Sequence, residues 1–115
     1  MEIIDKERIE ILKQDLEEDF KDVYQELLTL YENDFAPQKS RLADEIASEN
    51  YSAAATTTHQ LKGGARNVGM AKLSSTLAEI ETALKGGQKE IALRLQSGLD
   101  NLFREALPEA QKLIS

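Results

Sequence analysis

Thr58-His59-Gln60-Leu61-Lys62-Gly63-Gly64-Ala65-Arg66-Asn67-Val68-Gly69 contains the one histidine of the chain and three of its six glycines, and its reading decides the fold. Basic residues followed by glycine have the composition of a helix end, where cations and a C-terminal glycine are both favoured. The apolar spacing argues otherwise. Thr58, Leu61, Ala65 and Val68 recur three, four and three residues apart, the period of one buried helix face, and that face is not interrupted at Gly63-Gly64. A helix is therefore predicted to run through both glycines and to turn at Gly69.

A glycine inside a helix costs about 1 kcal/mol relative to alanine, so two in succession ask for a purpose other than helix stability. On a continuous helix His59, Lys62, Gly63 and Arg66 share one face, pointing away from the apolar one. An imidazole titrates near neutral pH and is substantially an uncharged nucleophile there. The surrounding cations would steady an anionic group placed on it, and glycine would let a partner's backbone approach closely. The pattern points to phosphate chemistry at His59.

Outward from this segment the chain reads as helix throughout, rich in Leu, Ala, Glu, Lys and Gln and punctuated by only two prolines. Ile9, Leu12 and Leu16 behind an Asp5 cap predict a short first helix. Phe20, Val23, Tyr24, Leu27, Leu30, Tyr31 and Phe35, continued by Leu42, Ile46 and Ala47, predict a long second helix kinked at Pro37. Asn50 caps the helix that carries His59. Leu73, Leu77, Ile80 and Leu84 form the seam of the next, which Gly86-Gly87 ends. The last starts near Gln88 on Ile91, Leu95, Leu99, Leu102, Phe103 and Ala106, with Pro108 expected to kink or restart it. Short connections favour antiparallel neighbours. The expected fold is all-α, an antiparallel up-down four-helix bundle with an additional short N-terminal helix, in one domain spanning 1–115.

Composition narrows the function. The absence of cysteine excludes disulfides, thiol catalysis and cysteine-ligated zinc, and fits a reducing compartment. A lone histidine among scattered carboxylates offers no metal site. A net charge of -7 disfavours nucleic acid as partner. No apolar run reaches the length of a membrane span, and Met1-Glu2-Ile3-Ile4-Asp5 is not the start of a secretion signal, so a cytoplasmic protein is expected. Gly64 and Gly69 have the separation of P-loop glycines, but Met70-Ala71 follows where Lys and Ser or Thr are needed, which argues against an ATP site and autonomous kinase activity. Thr56-Thr57-Thr58 lacks a base and is read as packing and surface.

Hairpin geometry brings in a second residue. His59 lies ten residues before Gly69 and Glu81 twelve after it, about 15 and 18 Å along two antiparallel helices. Glu81 would then stand level with His59, where its carboxylate can hold one ring nitrogen and leave the other as nucleophile. Spacing does not give the helix rotation, so a plain surface glutamate is the competing reading.

Taken together, His59-Gln60-Leu61-Lys62-Gly63, Val68-Gly69, Leu73, Leu77 and Ile80-Glu81 resemble the histidine-containing phosphotransfer (Hpt) domains of multistep phosphorelays, and the resemblance runs along the whole chain. Lys62-Gly63-Gly64-Ala65 also looks like the phosphorylated domain of chemotaxis histidine kinases, without their catalytic domains. The resemblance implies that His59 accepts a phosphoryl group on its outer ring nitrogen from a receiver-domain aspartate and passes it to another receiver. It implies that Lys62 favours the phosphoryl group, that Gly63 makes room for the receiver, and that Glu81 hydrogen-bonds the ring. The implied partners are response-regulator receiver domains or a hybrid sensor histidine kinase, with Mg2+ supplied by the receiver and no cofactor of the chain's own. Docking is expected around Gln60, Gly63 and Arg66, with a steric role for Gly64 and apolar help from Ile9 or Leu12, on a monomer. Two rivals stand beside this reading: a helical adaptor, and a kinase-docking regulator in which phosphotransfer is secondary.

Overall fold

Three near-identical turns organise the chain. The computed structural model describes residues Met1–Ser115, with helices α1 (Lys6–Leu16), α2 (Phe20–Ala47), α3 (Tyr51–Asn67), α4 (Ala71–Lys85), α5 (Lys89–Ser97) and α6 (Leu99–Lys112). At the ends of α2, α3 and α4 the residue after the cap adopts positive φ, at Glu49 (61°), Gly69 (74°) and Gly87 (65°). The amides that follow close the turns: Asn50, Met70 and Gln88 donate to Glu45, Ala65 and Ala83, while Glu49, Gly69 and Gly87 donate to Ile46, Arg66 and Leu84. This paired pattern satisfies the last carbonyls of each helix and reverses the chain within three residues. In each case the same residue that closes one helix is the N-cap of the next.

These short reversals make α2, α3, α4 and the α5–α6 unit a ring of four neighbours, α2 lying against α3 and α5, and α4 against α3, α5 and α6. The expected all-α four-helix bundle with a short N-terminal helix is the fold observed. Thr58, Leu61, Ala65 and Val68 of α3 and Leu73, Leu77, Ile80 and Leu84 of α4 are all buried, and α3 runs unbroken through Gly63 and Gly64. Burying such side chains contributes about 1.5–3 kcal/mol each for the larger aliphatics. Tyr31, Phe35 and Phe103 tie α2 to α6, with the two phenylalanine rings stacked at 4.2 Å between centroids.

Three details differ from the sequence expectations. Pro37 lies within the long α2, and Pro108 lies within α6 and does not restart it. The final helix instead breaks at Gly98, where the Ser97 hydroxyl donates to the Arg94 carbonyl and the Gly98 N–H to that of Leu95. The poor helix propensity of glycine and a serine that competes for the backbone ladder account for the position. Within α5 the buried residue is Ala92, whereas Ile91 is exposed. On α2, Leu28 is buried while Leu30 lies outside.

The N-terminus is stitched to the α3–α4 turn. Asp5 N–H donates to the Gly69 carbonyl (2.7 Å) and Ala71 N–H to that of Ile3 (2.9 Å), and Ile9 packs on Gly69. From α2 the buried Tyr24 hydroxyl donates to the Val68 carbonyl at 2.6 Å, the one partner this carbonyl has within the protein. Burial holds the Tyr24 phenol at about 12, above its ordinary 10.0. The unfolded chain ionises first, so this contribution to stability is complete below pH 10 and is lost as the pH climbs towards 12. Tyr24→Phe orphans the carbonyl and should cost about 1–3 kcal/mol at pH 7.5. Urea unfolding at pH 7.5, 10 and 11.5 should show the gap between the two proteins narrowing at the highest pH.

Candidate functional site

His59 lies on the outer face of α3, ten residues before Gly69, with 74% of its side chain exposed. The imidazole is therefore presented to solvent. One turn on, Lys62 is quite different: only 13% of its side chain is exposed, and its Nζ lies 2.6 Å from Glu81 Oε1 of α4, itself only 18% exposed. The same Oε1 is 4.0 Å from His59 Nδ1. The structure thus brings His59, Lys62 and Glu81 together, and the hairpin places the histidine and the glutamate level with one another.

The expected hydrogen bond from the ring to Glu81 is not formed. At 4.0 Å the pair exceeds hydrogen-bonding distance, and the ammonium of Lys62 occupies the near oxygen instead. A compact full charge on a flexible stem outcompetes an imidazole for a carboxylate. The Lys62–Glu81 contact is close but lies off the direction of a well-aligned hydrogen bond, which leaves Oε1 without one and makes the attraction chiefly coulombic. Both partners are mostly withdrawn from water, so this pair is screened less than a surface pair.

The two adjacent glycines face opposite ways. A Cβ at Gly63 would meet nothing within 4 Å, so the fold has no need of glycine there. A Cβ at Gly64 would overlap the Tyr31 ring, which its own hydroxyl pins in place by donating to the Leu61 carbonyl at 2.9 Å. Gly64 therefore belongs to the α2–α3 contact, a correction to the docking role expected of it. Gln60, Gly63 and Arg66 are exposed, as a docking face requires.

The first helix also departs from expectation. Ile9 and Leu12 are buried in the core, since α1 packs against α2 and the Gly69 turn on that side. Its apolar side chain at the surface is Ile11, 50% exposed, which the 9-12-16 stripe leaves out of phase. Arg8 and Asp5 meet Arg66 across a cleft that sequence spacing did not reveal, because it is formed by residues more than fifty positions apart. No group of three His, Asp or Glu side chains is placed to hold a metal ion, and no helix is long and apolar enough to cross a membrane.

A protein-family model described as Hpt domain matches residues 7–111. No curated protein and no solved structure matches the chain.

The opposed glycines make a sharp pair of substitutions. Gly64→Ala should destabilise the protein by about 1–3 kcal/mol through overpacking against Tyr31. Gly63→Ala should leave stability equal or raise it by up to about 1 kcal/mol, as expected of an exposed helical site. Thermal and urea unfolding of the two variants measure the contrast.

Proposed function

The chain belongs to the Hpt domain family, and on that premise we propose that it carries a phosphoryl group on His59 between receiver domains of a phosphorelay. Histidine phosphotransfer in phosphorelays is what the family implies, as a carrier and not a kinase. The observation that supports His59 as the carrier is its exposed ring beside a mostly buried Lys62–Glu81 pair, on a helix face cleared at Gly63.

In the forward step the lone pair of Nε2 attacks phosphorus, an N–P bond forms, and the P–O bond to the receiver's aspartate breaks, returning that aspartate as a carboxylate. The receiver would supply Mg2+ to offset the charge of the phosphoryl oxygens. On this chain the ring gains positive charge and the new group brings two negative charges. Glu81 is the nearest carboxylate to Nδ1, and Lys62 is the nearest cation of the Glu81 pair. Phosphorylation would redistribute that pair, Lys62 turning to the phosphoryl oxygens and Glu81 taking the Nδ1 proton as hydrogen-bond acceptor. Passing the group on runs the same steps in reverse with a second receiver. Docking would use Gln60, Gly63 and Arg66, with Ile11 as an apolar contact in place of Ile9 and Leu12. The protein would act as a monomer in the cytoplasm, without a cofactor or ATP site of its own.

A panel of purified receiver domains, phosphorylated with radiolabelled acetyl phosphate, tests the proposal. Acid-labile, base-stable label is expected on the wild type and none on His59→Gln. Tight receiver binding without label would leave the adaptor or kinase-docking reading in its place. Glu81→Gln keeps the size of the side chain and removes its charge. It should slow transfer about 10- to 100-fold, equivalent to about 1.4–2.7 kcal/mol in the barrier, and a single-turnover rate equal to that of the wild type would remove Glu81 from the site.

A further inference from the structure

Beside the His59 face, a cleft of about 350 Å3 opens between the start of α1, the last turn of α3 and the first turn of α4. Arg8 and Arg66 line it from two different helices, and neither guanidinium forms an ion pair. That is unexpected on a chain of net charge -7, where carboxylates are abundant. Arg8 Nε is closed off from solvent and has no hydrogen-bond partner. A buried donor left unmade costs about 1–3 kcal/mol, and more when the group is charged. Asp5, the carboxylate on the cleft wall, accepts from the backbone N–H of Arg8 at 3.1 Å as the N-cap of α1 and pairs with neither guanidinium.

The first turn of α4 reinforces the same sign of charge. Met70 at its N-cap supplies no side-chain acceptor, and the N–H groups of Lys72 and Leu73 have no acceptor within the protein. The positive end of the helix dipole thus adds to two unpaired arginines. Like charges gathered on one cleft repel until an anion joins them, and guanidinium groups take planar oxyanions in a two-pronged fashion.

We propose that this cleft binds an oxyanion, the carboxylate of an acidic side chain on the protein that docks over His59. The occupant rests on the relay reading of His59, whereas the anion site itself does not. Arg66 lies seven residues beyond His59 on the same helix face, about 10 Å along the axis. A standard interface covers about 800 Å2 of each partner, so a protein that reaches the ring also spans the mouth of the cleft. The arginines then act as a second anchor, fixing the rotation of the partner about the N–P axis where Gly63 provides only clearance.

Two measurements test this. Inorganic phosphate, as an oxyanion probe, is titrated at constant ionic strength into 15N-labelled protein. Saturable shifts of the Lys72 and Leu73 amides are expected, and they should vanish in the Arg8→Gln/Arg66→Gln double variant. Shifts that do not saturate, or that survive both substitutions, overturn the anion site. In the second measurement, the receiver that labels His59 fastest is varied in concentration. Arg8→Gln and Arg66→Gln should each raise its half-saturating concentration about five- to tenfold and weaken its salt dependence, the effect of losing one charged contact at an interface. Half-saturation within about twofold of wild type in both variants overturns the docking role. So does an equal loss when His59 is labelled by phosphoramidate, which needs no docked protein. Failure of every receiver to label wild-type His59 would strike the relay reading and remove the assigned occupant, while the phosphate titration still decides whether the cleft binds an anion.

Discussion

The left-handed backbone at Gly69 is the constraint on which the site depends. Its φ of 74° lets α3 reverse into α4 within three residues, and a side chain there would be strained as well as pressed against Ile9. Three hydrogen bonds then clamp the turn: Asp5 from the N-terminal segment on the Gly69 carbonyl, Ile3 of the same segment on the Ala71 amide, and Tyr24 from α2 on the Val68 carbonyl. With the turn fixed, the register of α3 against α4 is fixed over their whole length. That register is what sets Glu81 opposite His59 and Lys62, since a slip of one residue would rotate the carboxylate by about 100° around its helix.

A second division of labour lies within two adjacent residues. Gly64 removes a side chain so that Tyr31 can cross α3 closely and donate to the Leu61 carbonyl; Gly63 removes one where nothing of the protein is near. The first glycine serves the fold and the second leaves a bare helix surface beside His59. Neighbouring positions on a helix point about 100° apart, so one dipeptide can meet both demands.

Charge is distributed on the same principle. Most of the surplus carboxylates stand on exposed positions, yet the helix face around His59 carries Lys62 and Arg66, and the cleft beside it carries Arg8. Lys62 is committed to Glu81 in this state, whereas the two arginines are not committed to any carboxylate. A basic field on one face of an acidic protein would orient an anionic partner before contact. The Lys62–Glu81 pair adds opposite charges beside the ring, neutral as a pair.

Helix identity, order and much of the core were legible in the residues themselves. The 3-4 spacing of Thr58, Leu61, Ala65 and Val68 carried α3 through its glycines, and the seam from Leu73 to Leu84 gave α4, because burial of one face is a local, periodic demand. Counting residues from Gly69 also brought Glu81 level with His59, since helical rise is nearly constant. What the tertiary structure alone decided were matters of rotation and competition. Whether Gly64 faced inward, whether Ile9 or Ile11 reached the surface, and whether the Glu81 oxygen went to the ring or to Lys62 all depend on where neighbouring helices lie, and so does the meeting of Arg8 with Arg66. The break at Gly98 belongs here too, because the aromatic contact of Phe103 with Tyr31 and Phe35 and the Lys39–Asp100 ion pair place α6 against α2. Sequence period states which residues share a face of one helix; only packing states what that face meets.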